Sequence, residues 1–406
     1  MAPPASRSAS GSPTTVDAAA VPGPALGADR HGFVDALRGF ALLGILLVNI
    51  EFIVQPSEVG WFDYTTGPNA AARWLVVALG QMKIYPLFAL LFGYGLAVQL
   101  QRAKPGSDAL DSRYRRRMIG LVILGVAHGV LFFPGDILVI YGVVGSLAYR
   151  LRHRSTKQLL RIAMWTYALA SLAWLVLGLL EGLATDPADS AAPVASADAL
   201  RILSEGTFVE VVVVNFFFWI VTLGILAIIQ GPAVFASFLA GVALGRTTLL
   251  AQPEQHRSTA IRALRWMPLG LIGAGVGATL AITGGRWATL GLAVGFAAAP
   301  LVAAGYVGIL ALVLPRLRRV SAVLQASGRM SLTIYLLESI VATTLAYGYG
   351  FGLFGSVGPI GGIGLAVAIW LALSAFAVVW MRFARFGPFE WLLRSFTYGR
   401  WQPLRR

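Results

Sequence analysis

Long apolar runs separated by short arginine-rich segments dominate this chain. A helix that crosses a hydrocarbon core of about 30 Å needs about 20 apolar residues, and runs of this kind recur between residues 36 and 382. The runs that can be placed directly are 36–54, 72–99, 118–134, 137–149, 162–183, 268–284, 288–314, 330–353 and 362–382. The run 72–99 is long enough to tilt in the membrane or to kink at Pro86. The pair 118–134 and 137–149 should be hinged at Pro134, Gly135 and Asp136.

The loops predict the orientation of these spans. Loops rich in arginine and lysine stay on the cytoplasmic side of a membrane, and the basic segments are 102–117, 150–161, 246–265, 315–329 and the end of the chain. The acidic segments, which should face outward, are 51–70 and 181–205. Both termini are therefore expected in the cytoplasm.

The segment between residues 207 and 246 is the ambiguous part of this topology. The basic loops on either side of it require an even number of crossings between them, and the run 162–183 supplies one. We therefore predict that residues 200–222 form an interfacial or partly inserted helix. Residues 224–245 would then be a single span kinked at Pro232, giving about ten transmembrane helices in total.

The composition supports this all-α, polytopic membrane protein. Of the 406 residues, 57% are hydrophobic and 12% are charged, about half the charged share of an ordinary soluble domain. Residues 1–31 lack an apolar run and are predicted to be a disordered tail, which leaves residues 32–406 as a single transmembrane domain. The net charge of +14 lies in the loops and has no aromatic recognition module beside it, which argues against nucleic-acid binding.

Candidate chemistry comes from the few ionisable or amide side chains inside the spans, since such groups are costly there. In the first span Asp35 and Arg38 lie at the cytoplasmic end. Asn49 follows Arg38 by eleven residues, about three helical turns, so the two share a face. They could line one cavity; alternatively, Arg38 anchors the span at the interface and Asn49 bonds a neighbouring helix.

Further candidates occur in the next three spans. Gln81 and Lys83 precede Pro86, and Lys83 could serve a substrate or pair structurally with Asp136 or Glu338. His128 is a candidate general base, because imidazole exchanges protons near neutral pH, although a buried histidine can equally serve only a hydrogen bond. Since Pro134 intervenes, helical phasing does not place Asp136 against His128, and we expect Asp136 at the outer rim of a cavity.

The last candidates share one helix face. Ser331, Tyr335 and Glu338 recur at intervals of four and three residues in the run 330–353, and Glu338 needs either a basic partner or a proton. The chain has no cysteine, and its four histidines lack the spacing of a helical metal site. Neither a metal nor a bound cofactor is therefore predicted.

Several motifs resemble the YeiB-like family of bacterial inner-membrane proteins, whose domain is one of unknown function. The resemblance rests on Asp35-Ala-Leu-Arg38-Gly39 with Val48-Asn49, on Gly125-Val-Ala-His128 with Gly135-Asp136-Ile137-Leu138, on Gly328-Arg-Met-Ser331-Leu-Thr-Ile-Tyr335, and on Phe386-Gly-Pro388-Phe-Glu390-Trp391 continuing to Tyr398. It covers residues 32–406. It implies a multi-pass protein of the bacterial plasma membrane.

A second similarity, to membrane acyltransferases of the acyltransferase-3 type, implies a chemistry. Those proteins have ten helices and modify cell-surface glycans. Their first span carries Leu-Arg-Gly and a histidine eleven residues after the arginine; here the register gives Arg38 and Asn49. Another of their spans carries Gly-Arg-x-Ser-x-x-x-Tyr and then a histidine, where this chain has Glu338. Both histidines are replaced, although the related lysosomal heparan acetyltransferases also carry asparagine at the first position.

Two functions follow as hypotheses. The first is an acyltransferase that uses cytoplasmic acyl-CoA as co-substrate and delivers the acyl group to an extracytoplasmic acceptor. His128 would be the base, and Arg38 would contact the phosphate of acyl-CoA. Asp136 would orient His128 or contact the acceptor, and Asn49 would donate to the oxyanion or to the substrate. The second is a transporter of a small solute, in which Lys83, His128, Asp136 and Glu338 relay protons or pair with the solute. A scaffold within the bilayer is a third alternative, and the oligomeric state is left open.

Overall fold

The structure, a computed structural model, describes residues 32–55, 66–102, 108–185, 197–283 and 285–406. Fifteen α-helices build these segments: α1 Gly32–Val54, α2 Gly67–Leu79, α3 Ile84–Arg102, α4 Asp108–Leu131, α5 Leu138–Arg150, α6 Thr156–Ala184, α7 Ala197–Glu205, α8 Phe208–Ile229, α9 Gly231–Leu244, α10 Arg257–Thr283, α11 Ala288–Val313, α12 Arg318–Arg329, α13 Ser331–Ala346, α14 Pro359–Phe383 and α15 Pro388–Tyr398. The predicted disordered tail, 1–31, lies outside the described residues.

The lengths and composition of these helices confirm an all-α polytopic membrane protein. Seven helical segments are long and apolar enough to cross a bilayer, the first at Gly32–Val54 and the last at Pro359–Phe383. Three shorter apolar helices, α5, α9 and α13, accompany them. Large apolar side chains on α6 and α8 point away from the protein, for example Leu183 and Ile228, as expected of helices that face lipid. The number of crossings and the side of each terminus stay predictions.

The second span is broken before Pro86, and of the two alternatives for this run the kink at Pro86 is not found. Helix α2 ends at Leu79, and residues 80–83 form a turn in which Met82 has a φ of 65°. Pro86 lies in the first turn of α3, a position where its missing N–H costs no helical hydrogen bond. The freed carbonyls of α2 are satisfied by side chains, because the Lys83 ammonium donates to Val77 O at 3.0 Å and the Tyr306 hydroxyl donates to Leu79 O at 2.7 Å.

The prediction for residues 200–245 is wrong in its boundaries. A short amphipathic helix, α7, is followed by one continuous apolar helix, α8, which begins at a capping box formed by Thr207 and Glu210. This helix runs through residue 222 without a break and is long and apolar enough to cross a membrane. Pro232 occupies the first turn of α9 and starts that helix, so it does not kink a longer one.

Helices α4 and α5 form the predicted hairpin, and the turn between them includes Pro134, Gly135 and Asp136. Helix α5 has 13 residues, so it extends only about 20 Å. That length is about two thirds of a hydrocarbon core. The hairpin turn is packed inside the protein, where Phe133 and Asp136 are buried.

Close backbone contacts join α1 to α12 at the start of the first span. A Cβ on Gly39 would lie 2.2 Å from Leu324 O, and a Cβ on Gly328 would lie 1.7 Å from Asp35 O. Both positions therefore require glycine. These contacts explain the glycines of the Arg38-Gly39 and Gly328-Arg329 motifs, and they place the start of α13 beside α1.

Candidate functional site

A buried histidine and a buried aspartate meet at the tip of the α4–α5 hairpin. His128, in the last turn of α4, places its Nδ1 atom 2.8 Å from Oδ2 of Asp136. His128 is 3% exposed and Asp136 is fully buried. The expectation that Asp136 lies on the outer rim of a cavity is therefore wrong: the turn after Pro134 folds the carboxylate back against the helix that carries His128.

The hydrogen bonds of Asp136 fix both its position and the proton on His128. Oδ1 accepts the N–H of Leu138 at 2.8 Å and so caps the start of α5, while Oδ2 also accepts the hydroxyl of Tyr335 at 3.1 Å. In a neutral histidine, a carboxylate partner, which only accepts hydrogen bonds, selects the tautomer with the proton on Nδ1 and the lone pair on Nε2. Nε2 is buried and has no hydrogen-bond partner among the described residues.

Helix α13 supplies the third member of this cluster. Tyr335 is buried, and its ring centre lies 5.2 Å from that of His128. Glu338 follows one turn later and is 2% exposed, and neither of its carboxyl oxygens has a partner among the described residues. The predicted pairing of Glu338 with a basic side chain is thus not found in the described part of the chain. Ser331, at the first residue of α13, is half-buried and makes no hydrogen bond with the cluster.

Glu390 holds the helix that carries Tyr335, and sequence reasoning missed this role. Its Oε1 accepts the backbone N–H of Leu332 at 2.7 Å, and its Oε2 accepts the hydroxyl of Thr333 at 2.6 Å. A carboxylate at this place caps the positive end of α13. Burial raises the pKa of Glu390, and the donors from Thr333 and Leu332 oppose that rise.

The geometry of this cap depends on one glycine. A Cβ on Gly387 would lie 2.2 Å from Oε2 of Glu390 and 2.6 Å from Oγ1 of Thr333. The Phe386-Gly-Pro388-Phe-Glu390 segment therefore brings a carboxylate to a helix end 57 positions earlier in the chain. The only signal in the sequence was the motif itself, with Glu390 in the first turn of a helix that begins at Pro388.

The N-terminal end of the first span carries an ion pair, and a further cation lies nearby. Arg38 donates to Asp35 Oδ1 at 2.8 Å and to the carbonyl of Leu91 at 3.3 Å. The Arg117 guanidinium lies 5.6 Å from the ring centre of Phe92, the residue after Leu91. Arg38 is 23% exposed and keeps further N–H groups available to a ligand, while Asp35 orients it.

The remaining predicted residues lie apart from the histidine. Lys83 caps the broken end of α2, and among the described residues it forms no ion pair with Asp136 or Glu338. Gln81 lies in the same turn, and its buried side-chain oxygen has no partner in the described segments. Asn49 is half-buried on α1 and makes no hydrogen bond within the described ranges. The structure thus assembles His128, Asp136 and Tyr335, and does not bring Asn49, Gln81 or Lys83 into contact with them.

The fold and this cluster define a class, the polytopic all-α membrane proteins with a buried polar centre. Within the described residues, no group of three or more His, Asp or Glu side chains could hold a metal ion. The family described as "Protein of unknown function (DUF418)" matches residues 244–400, which include Tyr335, Glu338 and Glu390.

Two relatives extend this match over nearly the whole chain. The chain is 31% identical over 411 residues to the uncharacterized protein YxaH of Bacillus subtilis (strain 168), covering 94% of this chain and 97% of the relative. It is 32% identical over 399 residues to the uncharacterized protein YeiB of Escherichia coli (strain K12), covering 91% and 96%. The chain belongs to the YeiB-like family.

Proposed function

We propose that this protein is an acyltransferase of the bacterial plasma membrane, with cytoplasmic acyl-CoA as donor and an extracytoplasmic hydroxyl or amine as acceptor. The observation that carries the proposal is the buried His128–Asp136 pair, whose free Nε2 is an available base. A carboxylate that holds the opposite nitrogen of a histidine selects its tautomer and stabilises the imidazolium that forms when the base takes a proton.

The reaction that this pair can support is direct transfer. Nε2 of His128 removes the proton from the acceptor hydroxyl, and the oxygen attacks the thioester carbonyl carbon. The new C–O bond forms as the C–S bond breaks. The proton on His128 then passes to the departing thiolate, which leaves as the free thiol of the coenzyme. The atoms and charges balance with the acyl donor and the acceptor alone. The step therefore needs no oxidant.

Tyr335 and Glu390 act as positioning residues in this scheme. The Tyr335 hydroxyl bonds the same oxygen of Asp136 that contacts His128, so it helps to hold the carboxylate in place. Glu390 holds the first turn of α13 through Leu332 and Thr333. Displacing α13 would move Tyr335 away from Asp136.

Arg38 is the proposed contact for the phosphates of the donor. Its guanidinium lies at the predicted cytoplasmic end of α1, near Arg117, and a planar guanidinium grips phosphate through two parallel hydrogen bonds. Asn49 has no described contact with His128, so its proposed oxyanion role finds no support in the geometry.

A proton-coupled transporter is the second candidate, because of Glu338 and the break at residues 80–83. Broken helices and partnerless carboxylates inside a span are typical of solute and proton pathways. Here Glu338 is buried without a partner in the described segments. In the transporter, Glu338 would bind and release the coupled proton, and no acyl group would be transferred.

The experiment compares surface glycans and lipids, by mass spectrometry, in bacterial cells that contain or lack the gene. We expect an acyl substituent to disappear with the gene, to return with the wild-type gene and to stay absent with His128→Ala produced at equal level. Restoration by His128→Ala would contradict the proposal. An unchanged set of acyl groups, together with a pH-dependent solute uptake that Glu338→Gln abolishes, would establish the transporter instead.

A further inference from the structure

A large apolar cavity lies away from the His128 cluster, between α3, α6, α9, α10 and α11. Its volume is about 830 Å³, within the range of about 300–1,000 Å³ that small-molecule sites occupy. It follows α6 from Leu160 to Leu175, a distance of about 22 Å along the helix. None of the residues that line it belongs to the candidate site described above.

The wall of this cavity has few polar groups that could form hydrogen bonds with water. Small side chains on α9 and α11 line much of it, among them Ala240 and Ala303. The Ser171 hydroxyl is used within its own helix, because it donates to the carbonyl of Tyr167 at 2.8 Å. A cavity with so few polar groups does not hold ordered water, and an apolar occupant fits it better.

The shape of the cavity comes from the way α6 meets α11. At their outer ends the helices approach closely, since a Cβ on Gly178 would lie 2.5 Å from the backbone nitrogen of Leu290. Toward the cytoplasmic end the cavity separates them. Tyr167 lines the cavity and joins the two helices, because it stacks on Phe296 with ring centres 4.8 Å apart and donates to the carbonyl of that residue at 2.6 Å.

One side of the cavity is open to the surrounding membrane. Met164 and Leu172 line the cavity on α6, yet they are 62% and 57% exposed. A chain in the bilayer can therefore enter sideways, without passing through water. This lateral opening distinguishes the cavity from a site that is filled from the cytoplasm.

Three cations are neighbours of residues that line one end of the cavity, which is called its mouth below. Lys157 and Arg161 lie on the same face of α6 as the lining residues Leu160 and Met164, and Arg257 begins α10 next to the lining residue His256. All three cations are exposed and form no ion pair within the described ranges. His256 itself is held by Thr248, with Nε2 and Oγ1 2.8 Å apart.

We propose that this cavity binds an anionic phospholipid of the cytoplasmic leaflet. One acyl chain lies along α6 between Leu160 and Leu175, and the phosphate lies among Lys157, Arg161 and Arg257. The apolar wall accounts for the chain, and the lateral opening accounts for its entry. The unpaired cations account for the preference for negative charge, since basic side chains near a membrane surface attract anionic headgroups. The proposal does not depend on acyl transfer.

Native mass spectrometry of the purified protein in detergent tests it, with titration of phosphatidylglycerol and phosphatidylcholine that carry the same chains. We expect phosphatidylglycerol to bind at least ten-fold more tightly. Ala303→Phe, which fills the cavity, should weaken both lipids at least ten-fold. The matched variant Ala372→Phe, on an exposed position of α14, should bind as the wild type does.

Neutralising the three cations tests the contact with the lipid phosphate separately from the contact with the acyl chain. The variant with Lys157→Gln, Arg161→Gln and Arg257→Gln should bind both lipids equally, at the affinity of phosphatidylcholine for the wild type. Equal binding of the two lipids by the wild-type protein, or unchanged binding by a folded Ala303→Phe protein, would overturn the proposal. So would tighter binding of palmitoyl-CoA than of phosphatidylglycerol, which would make the donor the occupant.

Discussion

His128 and Asp136 lie on opposite sides of a proline-containing turn, and their Nδ1 and Oδ2 atoms are 2.8 Å apart. The same carboxylate accepts the N–H of Leu138 through its other oxygen. One side chain thus starts α5, closes the hairpin and leaves Nε2 of His128 as the free nitrogen. The structural and the proposed chemical roles of Asp136 can be separated by substitution.

Asp136→Asn should keep the fold and remove most of the activity. The asparagine oxygen can still accept the N–H of Leu138, but the amide can donate to Nδ1 and so move the histidine proton to Nε2. A histidine in that tautomer cannot act as a base, and we expect transfer to fall by about two to four orders of magnitude. Thermal unfolding and label transfer, measured on the same preparation, give the two readouts.

Asp136→Ala is the control for this substitution. It removes the cap of α5 and strands the Tyr335 hydroxyl, at a cost of about 1–3 kcal/mol, so it should lower both stability and activity. If Asp136→Asn were as active as the wild type, Asp136 would only hold the hairpin together.

Arg38→Lys should impair donor binding more than it impairs the fold. Lysine keeps the charge and loses the planar pair of hydrogen bonds, so we expect the KM for acyl-CoA to rise about ten-fold, the effect of losing one charged hydrogen bond of about 1.5 kcal/mol. The turnover number should change little. Full activity of Arg38→Lys, with Arg38→Ala reduced only in expression, would make Arg38 an interfacial anchor.

The burial of Glu390 predicts a pH dependence of the free energy of unfolding. Because burial raises the pKa of this carboxyl above its ordinary value of 4.5, the folded protein keeps a proton that the unfolded chain has lost. The stabilisation of the folded protein that this proton provides is fully present below about pH 4.5. It decreases as the pH rises through the folded-state pKa of Glu390. Thermal unfolding of the wild type in detergent, from pH 4 upward, should show that decrease.

Glu390→Gln removes the titrating group and keeps a side chain that can accept one of the hydrogen bonds. The variant should therefore show a flatter dependence on pH than the wild type. It should also lower the activity, because α13 positions Tyr335. The same pH dependence in both proteins would assign the effect to another residue.

The topology is tested by reporter fusions. We predict a cytoplasmic location for both termini and for a fusion after residue 255, and an outside location for the segments 51–70 and 184–205, parts of which lie beyond the described residues. Helix α8 alone is long enough for one crossing, and α9 has only 14 residues, so the two need not cross separately and the basic loops can stay on one side. An outside signal after residue 255 would show that α8 and α9 cross separately.

Hydropathy alone predicted most of the spans, because an apolar run of sufficient length has few alternatives to a membrane helix. The breaks were harder to predict. Helix α2 ends at Leu79, where Lys83 and Tyr306 satisfy its carbonyls. Tyr306 comes from a helix that is distant in the chain, so local sequence does not predict this end. Pro86 was a candidate for a kink, yet a proline in the first turn of a helix costs no helical hydrogen bond. Similarly, Pro232 starts a helix where a kink was expected.

The candidate site could be predicted in part. His128, Asp136 and Tyr335 were each singled out as polar residues in apolar surroundings, but their contact depends on how the turn after Pro134 folds back, which periodicity does not specify. Glu390 could not be assigned, since its partners lie far away in the chain and its own surroundings look like an ordinary amphipathic helix. In the sequence, the only sign of the cavity along α6 is the presence of small residues on α9 and α11.

The most direct test of the central claim uses purified protein in lipid, labelled acetyl-CoA and an extract of surface glycans. We predict that the wild type transfers label to an acceptor and that His128→Ala does so about two to four orders of magnitude more slowly, while it unfolds at a similar temperature and still binds acetyl-CoA. Equal transfer by the two proteins would remove His128 from the mechanism, and no transfer by the wild type with any acyl donor would contradict the enzyme itself.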